Sequence, residues 1–242
     1  MKHPLYLLFA IALTLGVAGF LSAPSASAIP SAGAYNACWT DTFDSPMLNS
    51  RWAWIREDAT HWSLTTNPGF LRITTQDGTI MEDYGSDQRN ILVTDAPTGD
   101  YQITTKVSIS PSQDYQLAGI LIYQDDDNYL HLMQVYDSGI WMSFHKESGG
   151  NITINAIKDS SPTVYLRITR QDTTYQGYYS KDGNAWTLVY TYTRSYTNPK
   201  IGLDATNTLP GLPQIPADFD FFQLGSNCGY YLPLAIKPAG GY

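Results

Sequence analysis

The sequence predicts an all-β domain built as two antiparallel sheets packed face to face. Three observations predict it. Short runs rich in Ile, Val, Tyr, Trp and Thr recur along the chain. Clusters of Gly, Pro, Asn and Asp punctuate them at turn spacing. No segment carries a long helical period, and no internal repeat is present. Roughly a dozen strands in one chain of this length fit a single sandwich.

The elements follow in order. Lys2 and His3 precede an apolar run from Leu5 to Leu21, and Ala26-Ser27-Ala28 is a small-residue cleavage site. Residues 1–28 therefore read as a secretory signal. The apolar run is nearly long enough for a membrane anchor, but no basic stop-transfer cluster follows it. Residues 29–37 read as a short linker, 38–228 as the sandwich and 229–242 as a tail too short to span a bilayer. Within the sandwich, Trp39 to Phe43 is the first strand. In Trp52-Ala53-Trp54-Ile55-Arg56 an extended chain puts Trp52, Trp54 and Arg56 on one face. Trp62 to Thr65 and Phe70 to Thr75 flank the Asn67-Pro68-Gly69 turn. Asn90 to Val93 is short, and Tyr101 to Ile109 alternates apolar with polar residues.

Leu117 to Leu132 reads as a hairpin whose apolar arms flank Asp125-Asp126-Asp127-Asn128. Both arms are apolar on both faces, which places the hairpin at the centre of a sheet. Ile140 to Lys146, Asn151 to Ile157 and Thr163 to Arg170 follow. Tyr175 to Ser180 and Trp186 to Thr193 are joined through Asp182-Gly183, a tight-turn signal. Lys200 to Ala205 is a strand. Thr206 to Pro216 holds three prolines and is excluded from a sheet centre. Ala217 to Leu224 is the last strand.

Fourteen basic and 22 acidic residues give a net charge of −8. The basic residues are scattered, so no stripe suits nucleic acid or an anionic membrane. Eighteen tyrosines and six tryptophans suit strands, and they also suit sugar-binding surfaces. The only two cysteines are Cys38 and Cys228. Outside the cytosol they are expected to pair, tying the first strand to the segment after the last.

A series of motifs resembles the concanavalin A-like lectin/glucanase superfamily. It runs through Phe43-Asp44, Arg51-Trp52-Ala53-Trp54-Ile55-Arg56-Glu57, Pro68-Gly69-Phe70-Leu71-Arg72-Ile73, Ala118-Gly119-Ile120-Leu121-Ile122-Tyr123, Asp127-Asn128-Tyr129, Asp182-Gly183 with Trp186, and Phe219-Asp220-Phe221-Phe222. Within that superfamily the chain resembles the accessory C-terminal sandwich of bacterial β-xylosidases and the regulation-of-enolase-like domains. The resemblance implies a jelly-roll sandwich whose concave face can hold a glycan. In xylosidases that domain accompanies a catalytic propeller, and no propeller segment is read in this sequence.

Glycoside hydrolysis needs two carboxylates placed across a scissile bond. The Glu-x-Asp-x-x-Glu series of laminarinase-like enzymes does not occur. Glu57-Asp58 and Glu82-Asp83 are adjacent pairs that an extended chain points to opposite faces. No Gly-x-Ser-x-Gly elbow occurs either. A non-catalytic glycan-binding module is therefore expected, with a hydrolase-related enzyme or a structural module of the envelope as alternatives. Trp54, Arg56, Trp62, Tyr123, His131 and Trp141 are the candidate ligand-binding residues, offering aromatic faces and polar groups for a saccharide. Trp54 and Trp141 are equally readable as core, and His131 as a structural histidine. No cofactor is expected. A structural Ca2+ is the one ion considered, with Asp44, Asp218 and Asp220 as candidate ligands where first and last strands meet. The expected partner is a poly- or oligosaccharide, with no nucleic acid and no membrane beyond the signal, and the chain is expected to be secreted and monomeric.

Overall fold

The computed structural model describes residues 38–81 and 85–225. The signal, the linker, the tail, Cys228, Glu82 and Asp83 lie outside the described residues. Every regular element among the described residues is a strand.

Seven strands form one sheet. Their order is β10 (Ile152–Lys158), β9 (Ile140–Ser148), β8 (Asn128–Tyr136), β7 (Gln116–Asp125), β14 (Lys200–Asn207), β5 (Ile91–Asp95) and β2 (Ala53–Ile55). The predicted hairpin is the pair β7–β8, and β7 occupies the middle of the sheet. The second sheet runs β13 (Thr187–Thr193), β12 (Thr174–Ser180), β11 (Thr163–Gln171), β6 (Tyr101–Ile109), β15 (Pro216–Leu224), β4 (Leu71–Thr74) and β3 (Trp62–Ser63). Its eighth member, β1 (Trp39–Asp41), pairs antiparallel with β15 in the register Trp39↔Leu224. First and last strands are thus neighbours, as a closed sandwich requires.

The period of two along each strand sorts side chains between the core and the outer faces. On the seven-stranded sheet Ala118, Ile120, Ile122, Leu130, Leu132, Met142, Phe144, Ile201 and Leu203 point inward. They meet Ile103, Val107, Val164, Leu166, Ile168, Phe219 and Phe222 of the other sheet. Each of these apart from Ala118 contributes about 1.5–3 kcal/mol when fully buried.

One edge of the sandwich is stitched. Tyr192 of β13 shares its hydroxyl proton between the carbonyls of Phe144 and Thr153, each 3.0 Å away. The same oxygen accepts from Asn155 Nδ2 of β10 at 2.9 Å. The last strands of the two sheets are therefore bonded to each other through one side chain.

Gly119 stands in the middle of β7, opposite Met133 on one side and Asp204 on the other. A Cβ there would run into the Leu132 carbonyl oxygen. The missing side chain also leaves the outer face open between β8 and β14, which positions the site described next.

Candidate functional site

The outer face of the seven-stranded sheet carries side chains in cross-strand rows fixed by the register. One row reads Ile154, His145, His131, Leu121, Gly202 and Val93. The next reads Ala156, Ser143, Met133, Gly119 and Asp204. Flanking rows hold Glu147, Tyr129, Tyr123 and Lys200 on one side, and Lys158, Trp141, Val135, Leu117 and Thr206 on the other.

A continuous polar network crosses the half of this face nearest β7 and β14. The Tyr123 hydroxyl donates to Asp126 Oδ1 at 2.8 Å. Arg56 grips both Asp126 oxygens from Nη1 and Nη2 at 3.0 and 2.9 Å. Its Nε donates to the Gln88 carbonyl at 2.6 Å, and Gln88 Nε2 donates to Asp204 Oδ2 at 2.6 Å. His131 Nε2 lies 2.8 Å from the other Asp204 oxygen. That contact is close enough for an ion pair, yet neither atom makes an aligned hydrogen bond. The path from His131 to Asp204 crosses β7 over Gly119. Gln88 and Ile80, from the segment between β4 and β5, pack onto this half of the face and bury it.

Burial sets the protonation behaviour here. Burial, then the hydrogen bond to Asp126, pushes the Tyr123 phenol above its ordinary range. Burial and the bond to Glu147 do the same to Tyr129, whose hydroxyl donates to Glu147 Oε2 at 2.7 Å. His145 faces His131 across the β8–β9 pair. Burial, then the charge of His131, lowers its pKa to about 3, so it is neutral at physiological pH.

Glu147 and Asp204 are both buried on this one face. They stand on β9 and β14, three strand spacings or roughly 14 Å apart laterally. Each is already engaged, by Tyr129 and by His131 with Gln88. That span exceeds the roughly 5–9.5 Å separation of a glycosidase pair.

The predicted residues divide between the two sides of the sheet. Tyr123, His131 and Trp141 share the outer face. Tyr123 and His131 do not meet, because the register sets Tyr123 opposite Tyr129 and His131 opposite Leu121. Arg56 reaches the same face because β2 ends at Ile55 and Arg56 has a φ of 53°. That left-handed step breaks the alternation that grouped it with Trp52 and Trp54. Trp54 pairs with Leu92 and packs on the core side, with Trp62 at 5.0 Å between ring centroids. These two tryptophans form an aromatic pair at the rim of the core, away from the outer face. Asp218 accepts a bidentate grip from Arg72 at 2.7 Å, and Asp220 accepts from Lys106 at 3.0 Å. Asp44 accepts from Thr42 at 2.6 Å. The two strand carboxylates considered for calcium are thus neutralised by cations.

Asp126, Gln88, Asp204, His145 and Glu147 also join this face or its network, and none of them is among the predicted residues. A lone acid in an apolar strand is the signal for Asp204, since a buried carboxylate needs partners.

On the β9–β10 half of the face Ser143, His145 and Glu147 of β9 are buried, whereas Ile154, Ala156 and Lys158 of β10 are exposed. Trp141 is half-buried, and its Nε1 donates to the Asp137 carbonyl at 2.9 Å. It adjoins an apolar shelf of Leu117, Met133 and Val135. Ile154, opposite His145 at the other end of β10, is 49% exposed.

Two antiparallel sheets, first and last strands paired and a polar outer face define a concanavalin A-like sandwich. The family model for the β-xylosidase C-terminal concanavalin A-like domain matches residues 40–224, and the chain belongs to that family. A non-reducing end α-L-arabinofuranosidase of Bacteroides ovatus is 26% identical over 194 residues, covering 75% of this chain and 36% of that protein. A putative β-xylosidase of Escherichia coli is 26% identical over 179 residues, covering 64% and 30%. The chain thus spans about a third of the length of these relatives. A crystal structure of a GH43 protein from Bacillus licheniformis superposes with a TM-score of 0.71 at 24% identity, over 77% of this chain and 39% of that one. The xylan β-1,4-xylosidase of Bacillus halodurans superposes with a TM-score of 0.67 at 23% identity, over 77% and 39%.

Proposed function

We propose that this protein is a secreted, monomeric, non-catalytic carbohydrate-binding module. The saccharide lies on the β9–β10 half of the outer face and stacks on Trp141. The observation that carries this reading is the indole itself. It is held in one orientation by its bond to Asp137, is half-exposed, and is bordered by the apolar cluster of Leu117, Met133 and Val135. Membership of the family supports a saccharide as partner, since the relatives are named as xylosidases and arabinofuranosidases. The β7–β14 half, filled by Arg56, Gln88 and Ile80, serves as scaffold.

Titration calorimetry with xylo- and arabino-oligosaccharides tests this reading. Binding is expected, with at least a tenfold loss in Trp141→Ala and an unchanged circular dichroism spectrum. No binding at millimolar sugar, or undiminished binding in the variant, refutes it.

The Cys38–Cys228 bridge belongs to the same proposal. The β1–β15 register brings Cys38 beside the Gly225 end of the chain, and no described cysteine is a free thiol.

A further inference from the structure

We propose that the Trp141 site selects acidic saccharides, those bearing a uronate, over neutral ones. This rests on the carbohydrate-binding reading above and names its ligand class. Lys158 of β10 is the register partner of Trp141, and its ammonium lies 5.6 Å from the indole centroid. The lysine is seated by the turn beneath it. Gly139 has a φ of 143°, and a Cβ there would meet Lys158 Cε at 3.2 Å and Nζ at 3.4 Å. A side chain there would push against the tip of the lysine, and the left-handed backbone favours glycine.

Several cations of this chain are held by carboxylates. On the same sheet Arg56 is held by Asp126 and Lys200 by Asp95. Elsewhere Arg72, Lys106 and Lys181 are held by Asp218, Asp220 and Asp159. Lys158 is exposed and makes no ion pair among the described residues. Lys146 rests on the Tyr192 ring in the same way, at 5.4 Å, but Lys158 is the cation that rests on the ring proposed to stack the sugar.

Ligand chemistry follows from that arrangement. A sugar that stacks on the indole displaces the ammonium from the ring and forfeits the cation–π contact. A neutral sugar returns nothing for it. A uronate offers the displaced ammonium a carboxylate at the rim of the same ring. A lysine suits this role because it is a mobile point charge and needs no fixed fork geometry. The preference is electrostatic and exposed, so salt weakens it.

The test uses a xylo-oligosaccharide with one glucuronic acid branch and the same compound with that carboxyl reduced to an alcohol. Calorimetry at low ionic strength is expected to give at least tenfold tighter binding of the acid form, narrowing in high salt. Lys158→Met keeps the stem and removes the charge, so it equalises the two ligands. Equal affinities in the wild type, or a preference that survives Lys158→Met, overturns the proposal while the carbohydrate-binding reading stands. If neither compound binds, both fall together.

Discussion

Removing the Asp204 carboxylate should cost more than removing any surface carboxylate of this protein. Asp204 is fully buried, with Gln88 Nε2 at 2.6 Å on one oxygen and His131 Nε2 at 2.8 Å from the other. Asp204→Ala strands both partners in a dry site. Breaking a buried pair from one side costs about 3–5 kcal/mol. For a urea slope of about 2 kcal/mol/M, the midpoint falls by about 2 M. Asp204→Asn keeps the acceptor for Gln88 and loses only the charge opposite His131, so about 1–3 kcal/mol is expected. Asp95 is the internal control. Its side chain is 90% exposed in its pair with Lys200, and Asp95→Ala should stay within about 1 kcal/mol of wild type. Urea unfolding at pH 7, followed by tryptophan fluorescence, reads all three variants. If Asp204→Ala shifts stability no more than Asp95→Ala, the network across the outer face is not holding the sheet together.

Two further outcomes follow from the same face. The His145 pKa is lowered by burial from 6.5 to about 3, so the unfolded chain binds the proton that the folded one refuses. Stability should be fully present above pH 6.5 and fall by up to about 1.4 kcal/mol per pH unit on acidification towards pH 3. His145→Gln should flatten the upper part of that window, and an unchanged slope between pH 6.5 and 5 contradicts the assignment. Arg56→Lys loses the fork that holds both Asp126 oxygens and should cost about 1–2 kcal/mol. Faster amide exchange around Gln88 and the β7–β8 turn is the expected signature, and unchanged protection there counts against the clamp.

Much of the architecture is legible from residue pattern. The apolar arms around Asp125–Asn128 do form the hairpin, and β7 does lie mid-sheet. Asp182-Gly183 does join β12 to β13. These signals are local, so a single segment carries each of them. The side of a sheet on which a residue falls is a different matter when a strand is short. Trp54 faces the core because β2 aligns it with Leu92, a fact held in a strand about forty residues away. Arg56 leaves the alternation through a left-handed step that neither glycine nor asparagine announces. Asp126 looks like an ordinary turn residue, and its main partner lies 70 positions earlier. Asp204 is the instructive case. One acid inside Ile201-Gly202-Leu203-Asp204-Ala205 has no reason to be buried unless something answers it, and that signal stands in the residue order alone.

The Tyr192 stitch bears on how the protein survives at high concentration. A sheet's last strand normally offers a row of unspent backbone groups on which another molecule can grow a further strand. Here the outermost strands on one side, β10 and β13, are fastened to each other through a single phenol. On the opposite side the outermost strands, β2 and β3, are only three and two residues long. Among the described residues, one flank is thus tied by a side chain and the other ends in very short strands. Tyr192→Phe removes only one oxygen, yet it unfastens the longer flank and makes this otherwise self-sealed sandwich a candidate for slow fibril growth.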